Sequence, residues 1–367
     1  MSPSIRKNVA STVLLIVLSL SLLLSGCSSK QASNQVTPKE LTLPEIEAQA
    51  RQEGQLVSLG MPDSWANYKA NFAEISSKYG LKHVDTDMSS AEAISKIEAE
   101  KDKPSADMTD IGITFAPVAV AKGITLPYKA SHWAELPNWA KDPDGNWTVA
   151  YTGTISFLTN KKLVKNPPKS WDDILKGSYK VAVGDVTREA QAQAAVLAVA
   201  MANGGDEKNI QPGLDFFAKL AQQKRISLVD PLIANIEKGE VEVALVWDFN
   251  ALNYADQLGR DNFDIAIPAE GSLTTGYALI INKYAPHPNA AKVAVEYLLS
   301  DEGQLNYARG FAKPIRSNIT IPDDVKAKML PAEEYKNAKS VQDYTTWGAT
   351  AKQLPQLWQE KVLISMQ

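Results

Sequence analysis

The sequence is poor in the residues on which several classes of protein depend. It has one cysteine and three histidines among 367 residues, and no run of lysine or arginine is longer than two. A single thiol forms no internal disulfide, so the fold must be held together by its hydrophobic core. A net charge of −4 without a basic stripe argues against a nucleic-acid partner. The Gly-x-Ser-x-Gly, Walker and His-Glu-x-x-His motifs are absent, so we predict neither an enzyme nor a cofactor.

The histidines give no sign of a metal site. His83, His132 and His287 are far apart in the sequence and stand in no ligand spacing. The tyrosines at 151, 254 and 277 leave a metal site open, but no metal is predicted.

The bulk composition is that of an ordinary globular protein. Hydrophobic residues make up 44% and charged residues 22% of the chain, which is typical of soluble domains. The length is sufficient for two domains with cores of ordinary size.

The N-terminus has the pattern of a secretory signal peptide over residues 1–26. Arg6 and Lys7 precede an apolar run from 13 to 24, which is shorter than the roughly 20 residues of a membrane span. The Leu-Ser-Gly-Cys sequence that ends at Cys27 resembles the lipobox of bacterial lipoproteins. This resemblance implies cleavage before Cys27 and a lipid on its sulfur, which anchors the exported protein to the outer face of the cell membrane or to an envelope membrane. The alternative is an uncleaved anchor with an incidental cysteine.

After a polar tether at 27–40, strands and helices alternate along the chain. This alternation predicts an α/β fold of two doubly wound lobes joined by crossover strands, with a ligand cleft between the lobes. Extended structure is predicted at 147–159, 241–247 and 277–282. The predicted segments are the first part of lobe 1 at 41–152, lobe 2 at 153–271, the return to lobe 1 at 272–325, and C-terminal helices at 326–367.

Three helices are predicted next to strand ends, where a ligand would bind. One begins at Asp63 or Ser64. An alanine-rich helix covers 187–202 and is capped by Thr187 or Asp185. A third covers 250–258.

Five short motifs resemble those of bacterial ABC-importer solute-binding proteins of family 1, in the iron(III), thiamine and polyamine group. They occur in family order at 53–57 (EGQLV), 169–175 (KSWDDIL), 237–241 (EKGEV), 287–292 (HPNAAK) and 298–304 (LLSDEGQ). The resemblance implies the type II periplasmic-binding-protein fold, capture of a small solute by hinge closure, and a permease and ATPase as partners of a monomer. Ile174 stands where leucine is usual, and the adjacent tyrosine pair of the iron(III) binders is missing.

Candidate ligand residues lie where predicted strands end and helices begin. They are Ser64, Trp65, Asp110, Tyr151, Thr152, Thr154, Thr187, Arg188, Trp247, Asp248, Thr274, Thr275 and Tyr277. For most of them a capping, core or hinge role is the alternative. For the 151–154 stretch the alternative is a plain exposed strand face, and for Arg188 it is a solvated arginine in the first turn of a helix.

The charge of the solute is left open by these residues. Asp248, which stands between two aromatic residues, together with Asp110 and the tryptophans favours an organic cation such as a polyamine or thiamine. Arg188 and helix N-termini would suit a phosphorylated or phosphonate anion. Iron(III) and a role as a ligand-sensing subunit are further alternatives.

Overall fold

Helices and strands alternate through residues 41–366, the part of the chain that this computed structural model describes. The first stretch contains α1 (Leu43–Glu53), β1 (Gln55–Leu59), α2 (Tyr68–Tyr79), β2 (Lys82–Thr86), α3 (Ser90–Ala99), β3 (Met108–Gly112) and α4 (Ala116–Ala121). The middle stretch contains β4 (Thr148–Asn160), α5 (Trp171–Lys176), β5 (Val181–Ala182), α6 (Ala190–Ala202), α7 (Gln211–Gln222), β6 (Ile226–Ser227), α8 (Ile233–Glu237), β7 (Val243–Trp247), α9 (Asp248–Leu258) and β8 (Phe263–Ala266). The last stretch contains β9 (Leu273–Ile281), α10 (Pro288–Leu299), α11 (Asp301–Arg309), β10 (Lys313–Pro314), α12 (Asp323–Lys326), β11 (Lys339–Ser340) and α13 (Tyr344–Lys361).

Strand β4 joins two sheets. Its first part, 148–154, pairs antiparallel with β9, and its second part, 155–160, pairs antiparallel with β7 and β8. The strands follow the order β2-β1-β3-β9-β4-β7-β5-β6. The first lobe is built on β1, β2, β3, β9 and the start of β4, and the second on the end of β4 with β5 to β8. The predicted α/β fold of two lobes joined by crossover strands is confirmed.

The direction of the strands follows from their connections. Strand β1 is parallel to β2 and β3, because a helix returns the chain over the sheet after each strand. Strand β9 returns from the second lobe and therefore lies antiparallel to β3 and β4. The extended segment predicted at 147–159 is confirmed as β4.

The core of the second lobe surrounds α6. Every residue of this helix from Ala192 to Met201 is buried, and the helix packs mainly on α7 and β7. Small alanine side chains let the neighbouring elements approach on all sides, so the helix has no polar face. Among residues 41–366, no helix has the length and hydropathy that a membrane crossing would need.

The family-like motif at 298–304 ends on a glutamine that ties three segments together. The Gln304 amide nitrogen donates to the carbonyls of Ala150 and Leu298 at 2.9 Å, and its oxygen accepts from the amides of Ile315 at 2.9 Å and Arg316 at 3.2 Å. The side chain is fully buried, and its polar atoms are paired as burial requires.

Helix α2 begins later than the sequence predicted. The predicted start at Asp63 or Ser64 is wrong, because α2 begins at Tyr68. Ala66 and Asn67 both have positive φ angles, of 47° and 59°. Two successive left-handed residues interrupt the α conformation, so the stretch before them forms turns.

Helix α6 also begins later than predicted. Its first residue is Ala190 and its N-cap is Glu189, so the predicted start and cap at Thr187 or Asp185 are wrong. Asp185 instead forms an Asx turn, in which its Oδ1 accepts from the Thr187 amide at 2.9 Å. This turn displaces the helix start by three residues and brings Glu189 to the cleft.

Candidate functional site

A cavity of about 570 Å³ lies between the two lobes. The first lobe contributes the segments after β1 and β2, the start of α3, Asp110 near the end of β3 and Tyr277 in the middle of β9. The second lobe contributes the start of α6, the segment 230–234 and Tyr254 of α9. These are largely the carboxyl ends of strands, where open α/β sheets bind ligands, and the volume suits a small molecule.

Asp110, near the end of β3, is a buried carboxyl group that lines the cavity. Its Oδ2 accepts hydrogen bonds from the hydroxyls of Tyr68 at 2.7 Å and Tyr151 at 2.6 Å. Its Oδ1 is buried and has no hydrogen-bond partner among the described residues. Burial raises the pKa of the Asp110 carboxyl to about 7, against the lowering effect of the two tyrosine hydroxyls. A donor on a solute would satisfy the free oxygen.

Aromatic rings line the cavity beside Asp110. The Trp65 ring meets Tyr277 and Phe249 edge to face, at centroid distances of 5.3 and 5.4 Å. The Trp247 indole donates to the Tyr277 hydroxyl at 3.0 Å and so fixes that ring. Tyr254 lines the cavity from the second lobe. These rings offer faces and edges to an apolar or cationic body.

The charged residues that line the cavity are mostly acidic. Arg188 is the one basic residue among the described lining residues. The acidic residues are Asp87, Glu92, Asp110, Glu189 and Asp230.

Arg188 is already paired with protein carboxylates. Its Nε donates to Asp185 at 2.8 Å and its Nη1 donates to Glu92 at 2.9 Å, while Glu189 lies 3.7 Å from its Nη2. The pair with Glu92 joins the second lobe to the first. An anion bound at Arg188 would compete with these three carboxylates, so the site has little positive charge to offer.

The structure brings five of the sequence-predicted ligand residues to the cavity wall. They are Ser64, Trp65, Asp110, Arg188 and Tyr277. Tyr151 lies directly behind this wall, where its hydroxyl donates to Asp110 and accepts from the Trp65 indole at 2.6 Å.

The other predicted residues do not line the cavity. They are Thr152, Thr154, Thr187, Trp247, Asp248, Thr274 and Thr275. Several of them connect the crossover strands. The hydroxyls of Thr154 and Thr274 join β4 to β9 at 2.8 Å, and the Thr275 hydroxyl lies 3.1 Å from that of Tyr344.

Asp248 is occupied by protein donors. Its Oδ1 accepts from the amides of Thr154 at 2.8 Å and Phe249 at 3.0 Å, and its Oδ2 accepts from the Tyr335 hydroxyl at 2.7 Å. Only 1% of Asp248 is exposed, and burial raises the pKa of its carboxyl. The side chain thus links α9, β4 and the segment after α12 where the chain crosses between lobes.

We expect Asp248→Ala to lower stability and to leave solute affinity unchanged within twofold. The substitution leaves three buried donors unpaired, at a cost of about 1–3 kcal/mol for each group that water does not reach. Thermal unfolding and calorimetric titration of the same preparation measure the two effects. Asp256→Ala, at an exposed position of the same helix, is the control. Weakened binding without a loss of stability would show that Asp248 contacts the solute instead.

Further residues that sequence analysis did not propose as solute ligands also line the cavity. They include Asp87, Ser90, Glu92, Glu189, Gln191, Asp230 and Tyr254. Asp87 follows β2 and Asp230 follows β6, so the rule that ligands bind at the ends of parallel strands could have found them. Glu189 and Gln191 were missed because the start of α6 was misplaced.

Gln191 presents an amide to the cavity. Its oxygen accepts from the Trp247 amide at 3.0 Å and from the Asn250 side chain at 3.2 Å. Within residues 41–366, its nitrogen has no hydrogen-bond partner. This nitrogen is therefore available to an acceptor on the solute.

The described residues group no three His, Cys, Asp or Glu side chains in a way that could hold a metal ion. The histidines are separate and each has its own partner: His83 lies 2.9 Å from Ser58, His132 lies 2.7 Å from Glu135, and His287 lies 3.0 Å from Asp107.

Comparison with known proteins gives the family. Residues 103–344 match the family described as bacterial extracellular solute-binding protein. A sulfate-binding protein of Salmonella typhimurium is 28% identical over 232 residues, which cover 59% of this chain and 69% of the relative. A periplasmic protein of the same organism, provisionally named for 2-aminoethylphosphonate binding, is 24% identical over 272 residues, which cover 71% of this chain and 77% of the relative.

Solved structures agree on the fold. The periplasmic binding protein AfuA from Actinobacillus pleuropneumoniae, with fructose-6-phosphate bound, superposes with a TM-score of 0.69 at 22% identity. The match covers 85% of this chain and 99% of AfuA. The periplasmic binding protein P5PA gives a TM-score of 0.70 at 17% identity, over 84% of this chain and 99% of that one.

The relatives are substrate-binding transport proteins and not enzymes. The chain thus belongs to the bacterial extracellular solute-binding proteins, with the two-lobed fold of the type II periplasmic binding proteins.

Proposed function

We propose that this solute-binding protein captures a small organic cation with an amino group and delivers it to the permease and ATPase of an ABC importer. The observation that carries the proposal is the free, buried Oδ1 of Asp110 at a cavity rich in acidic groups. An ammonium group there would satisfy the orphan oxygen and compensate the buried charge, whereas an anion would meet repulsion.

The aromatic rings around Asp110 support the same solute class. The faces and edges of Trp65, Tyr254 and Tyr277 at the cavity would cover the carbon body of an amine. A cation near such rings gains further attraction, which grows when water is excluded. Closure of the lobes would supply that exclusion, because only contacts that improve in the closed state drive closure.

An anionic solute is the second candidate. Two relatives are named for sulfate and 2-aminoethylphosphonate binding, and Arg188 lines the cavity. The three carboxylates around Arg188 weigh against this candidate. Iron(III) has less support, since the described residues hold no ligand cluster. A ligand-sensing role would use the same cavity, and permease and ATPase genes beside this one would favour the importer.

A thermal-shift panel on the purified protein separates these classes. It compares putrescine, spermidine, choline and thiamine with sulfate, phosphate, 2-aminoethylphosphonate and ferric citrate. A solute at one hundred times its Kd stabilises the native state by about 2.7 kcal/mol. We expect a shift with at least one amine and none with sulfate or phosphate. A shift with sulfate, phosphate or ferric citrate alone would contradict the proposal. A shift with 2-aminoethylphosphonate alone, which carries both an ammonium and a phosphonate, would contradict a purely cationic solute but not the amino group.

We further propose that a lipid on Cys27 holds the monomeric protein at the membrane, with residues 27–40 as the tether. These residues lie outside the described part of the chain, so the proposal depends on the sequence around Cys27.

Cys27→Ala is expected to move the protein from the detergent phase to the aqueous phase in a Triton X-114 partition, because it removes the only thiol that could carry the lipid. Solute affinity should not change. Continued partition of the variant into detergent would contradict the lipid anchor.

A further inference from the structure

The two lobes meet at a contact that only a glycine permits. Gly112, the last residue of β3 in the first lobe, faces Ala190, the first residue of α6 in the second lobe. A Cβ atom at position 112 would lie 2.3 Å from the Ala190 Cβ, closer than atoms can pack. The backbone of Gly112 has φ −51° and ψ 133°, which any residue can adopt. The glycine is therefore required for space and not for backbone conformation.

The contact places two carboxyl groups at one cavity. Asp110 precedes Gly112 by two residues on β3, and Glu189 immediately precedes Ala190 as the N-cap of α6. Both side chains line the cavity, Asp110 from the first lobe and Glu189 from the second.

Glu189 is only partly committed to protein partners. Its Oε2 accepts from the Asp185 amide at 3.1 Å, and its Oε1 lies 3.7 Å from Arg188, which has closer partners in Asp185 and Glu92. About 25% of the side chain is exposed. Burial raises the pKa of the Glu189 carboxyl to about 7, and Asp230 nearby acts in the same direction. The group therefore gains from a cationic neighbour.

We propose that Glu189 is the residue by which the second lobe binds the cationic solute. The close contact between Gly112 and Ala190 would bring the Glu189 carboxylate within reach of the solute when the lobes close. The inference rests on the proposed function. With no cation between them, closing the lobes brings two acidic groups to one poorly solvated cavity. With an ammonium present, both carboxyls gain a partner only when the lobes are closed, so the charge of the solute drives closure.

The first test is Glu189→Gln, measured by calorimetric titration with the amine that gives the largest thermal shift. We expect affinity at least 10-fold weaker, with Tm at pH 7 no lower than in the wild type. Small-angle scattering should show that saturating amine compacts the wild type more than the variant. Glu240→Gln, at an exposed position before β7, is the matched control and should behave as the wild type.

The second test uses the steric contact. Gly112→Ala should weaken binding at least 10-fold by holding the lobes apart, and the affinity of Ala190→Gly alone is the reference for the rescue. The double variant should recover most of the affinity, because the Cβ at 112 would then have the Cα of residue 190 at 3.7 Å and Phe115 Cδ2 at 3.8 Å as its nearest neighbours. Rescue by a second substitution separates this effect from simple misfolding.

Amine binding by the wild type together with unchanged binding by Glu189→Gln would overturn this inference and leave the proposed function intact. Gly112→Ala that binds normally, or that Ala190→Gly fails to rescue, would overturn the seating role of the contact. A wild type that binds no amine would contradict the proposed function, and the role of Glu189 would fall with it.

Discussion

Asp110→Asn is expected to weaken amine binding about 100-fold, which corresponds to about 2.7 kcal/mol. The asparagine oxygen can still accept from Tyr68 and Tyr151, so the local packing is retained. The amide nitrogen then takes the place of the free carboxylate oxygen and presents a donor to the ammonium. The loss is that of a charge-assisted hydrogen bond, worth about 1.5–3 kcal/mol, together with the charge that compensates the buried cation. Calorimetric titration with the best amine measures it.

The same substitution should stabilise the protein without solute at pH 8. The folded pKa of Asp110, about 7, lies above the ordinary aspartate value, so the folded state binds more protons between about pH 4 and 7. The contribution of Asp110 to the free energy of unfolding is therefore fully present below about pH 4, where the group is protonated in both states. This contribution is lost as the pH rises through 7 and the buried group ionises. At pH 8 the buried charge costs up to about 4 kcal/mol, and asparagine removes that cost.

Thermal unfolding at pH 4 and pH 8 tests whether Asp110→Asn raises or lowers the stability of the protein. The Tm of Asp110→Asn should exceed that of the wild type at pH 8 and match it at pH 4. Asp256→Asn, at the exposed surface of α9, should show neither the stabilisation nor the loss of binding. A lower Tm at pH 8 with unchanged amine affinity would mean that Asp110 is a structural carboxylate.

The second large effect is a dependence of affinity on pH. Burial raises the pKa of Asp110 and of Glu189 to about 7, whereas an aliphatic amine stays charged between pH 5 and 8. A bound ammonium favours the ionised carboxylates, so binding below pH 7 must release protons. Affinity should fall about 10-fold per pH unit below 7 for one such group, and more steeply where both contribute.

Titrations in buffers of different ionisation enthalpy count the released protons. Other charged groups that line the cavity are Asp87, whose carboxyl pKa burial also raises, Glu92, Asp230 and Arg188. Asp85 does not line the cavity, but its charge raises the pKa of Asp110. We expect Asp110→Asn to flatten the profile and to release fewer protons at pH 6. A wild-type affinity that is constant from pH 5 to 8 would contradict the assignment of the amino group to these carboxyls.

The fold could be predicted from the sequence because the patterns that specify it are local, such as apolar periodicity and short motifs, and recur along the chain. Alternating apolar segments predicted the strands and helices, and the 147–159 pattern became the long β4 that joins the lobes. The motif residues have direct structural reasons. Trp171 donates to the Gly271 carbonyl at 2.9 Å and packs on Phe157, while Gln304 pairs all its polar atoms.

The site was less predictable, since the end of a predicted strand gives the position of a residue but not the direction in which its side chain points. Asp110 lies near the end of β3 and Asp248 directly follows β7. Asp110 reaches the cavity with one oxygen free, whereas three donors, one of them Tyr335, occupy Asp248. Tyr335 is 87 residues from Asp248 in sequence, and no local pattern gives that contact.

Glu189 was missed for a second reason, which is that its position depends on contacts between separate segments. Its place at the cavity depends on the Asx turn of Asp185, which delays the start of α6, and on the absence of a Cβ at Gly112. Asp185 and Gly112 are visible in the sequence, but the turn that Asp185 forms and the meeting of Ala190 with Gly112 are properties of the folded chain.

The most direct test of the central claim is a paired titration of one amine and its N-acetylated, neutral counterpart against the wild type and Asp110→Asn. The amine should be the one with the largest thermal shift. We predict that the wild type binds the amine about 100-fold more tightly than the neutral counterpart, and that Asp110→Asn removes most of this difference. Equal binding of the two compounds by the wild type, or a preference that survives in Asp110→Asn, would contradict the claim that Asp110 binds a cationic solute.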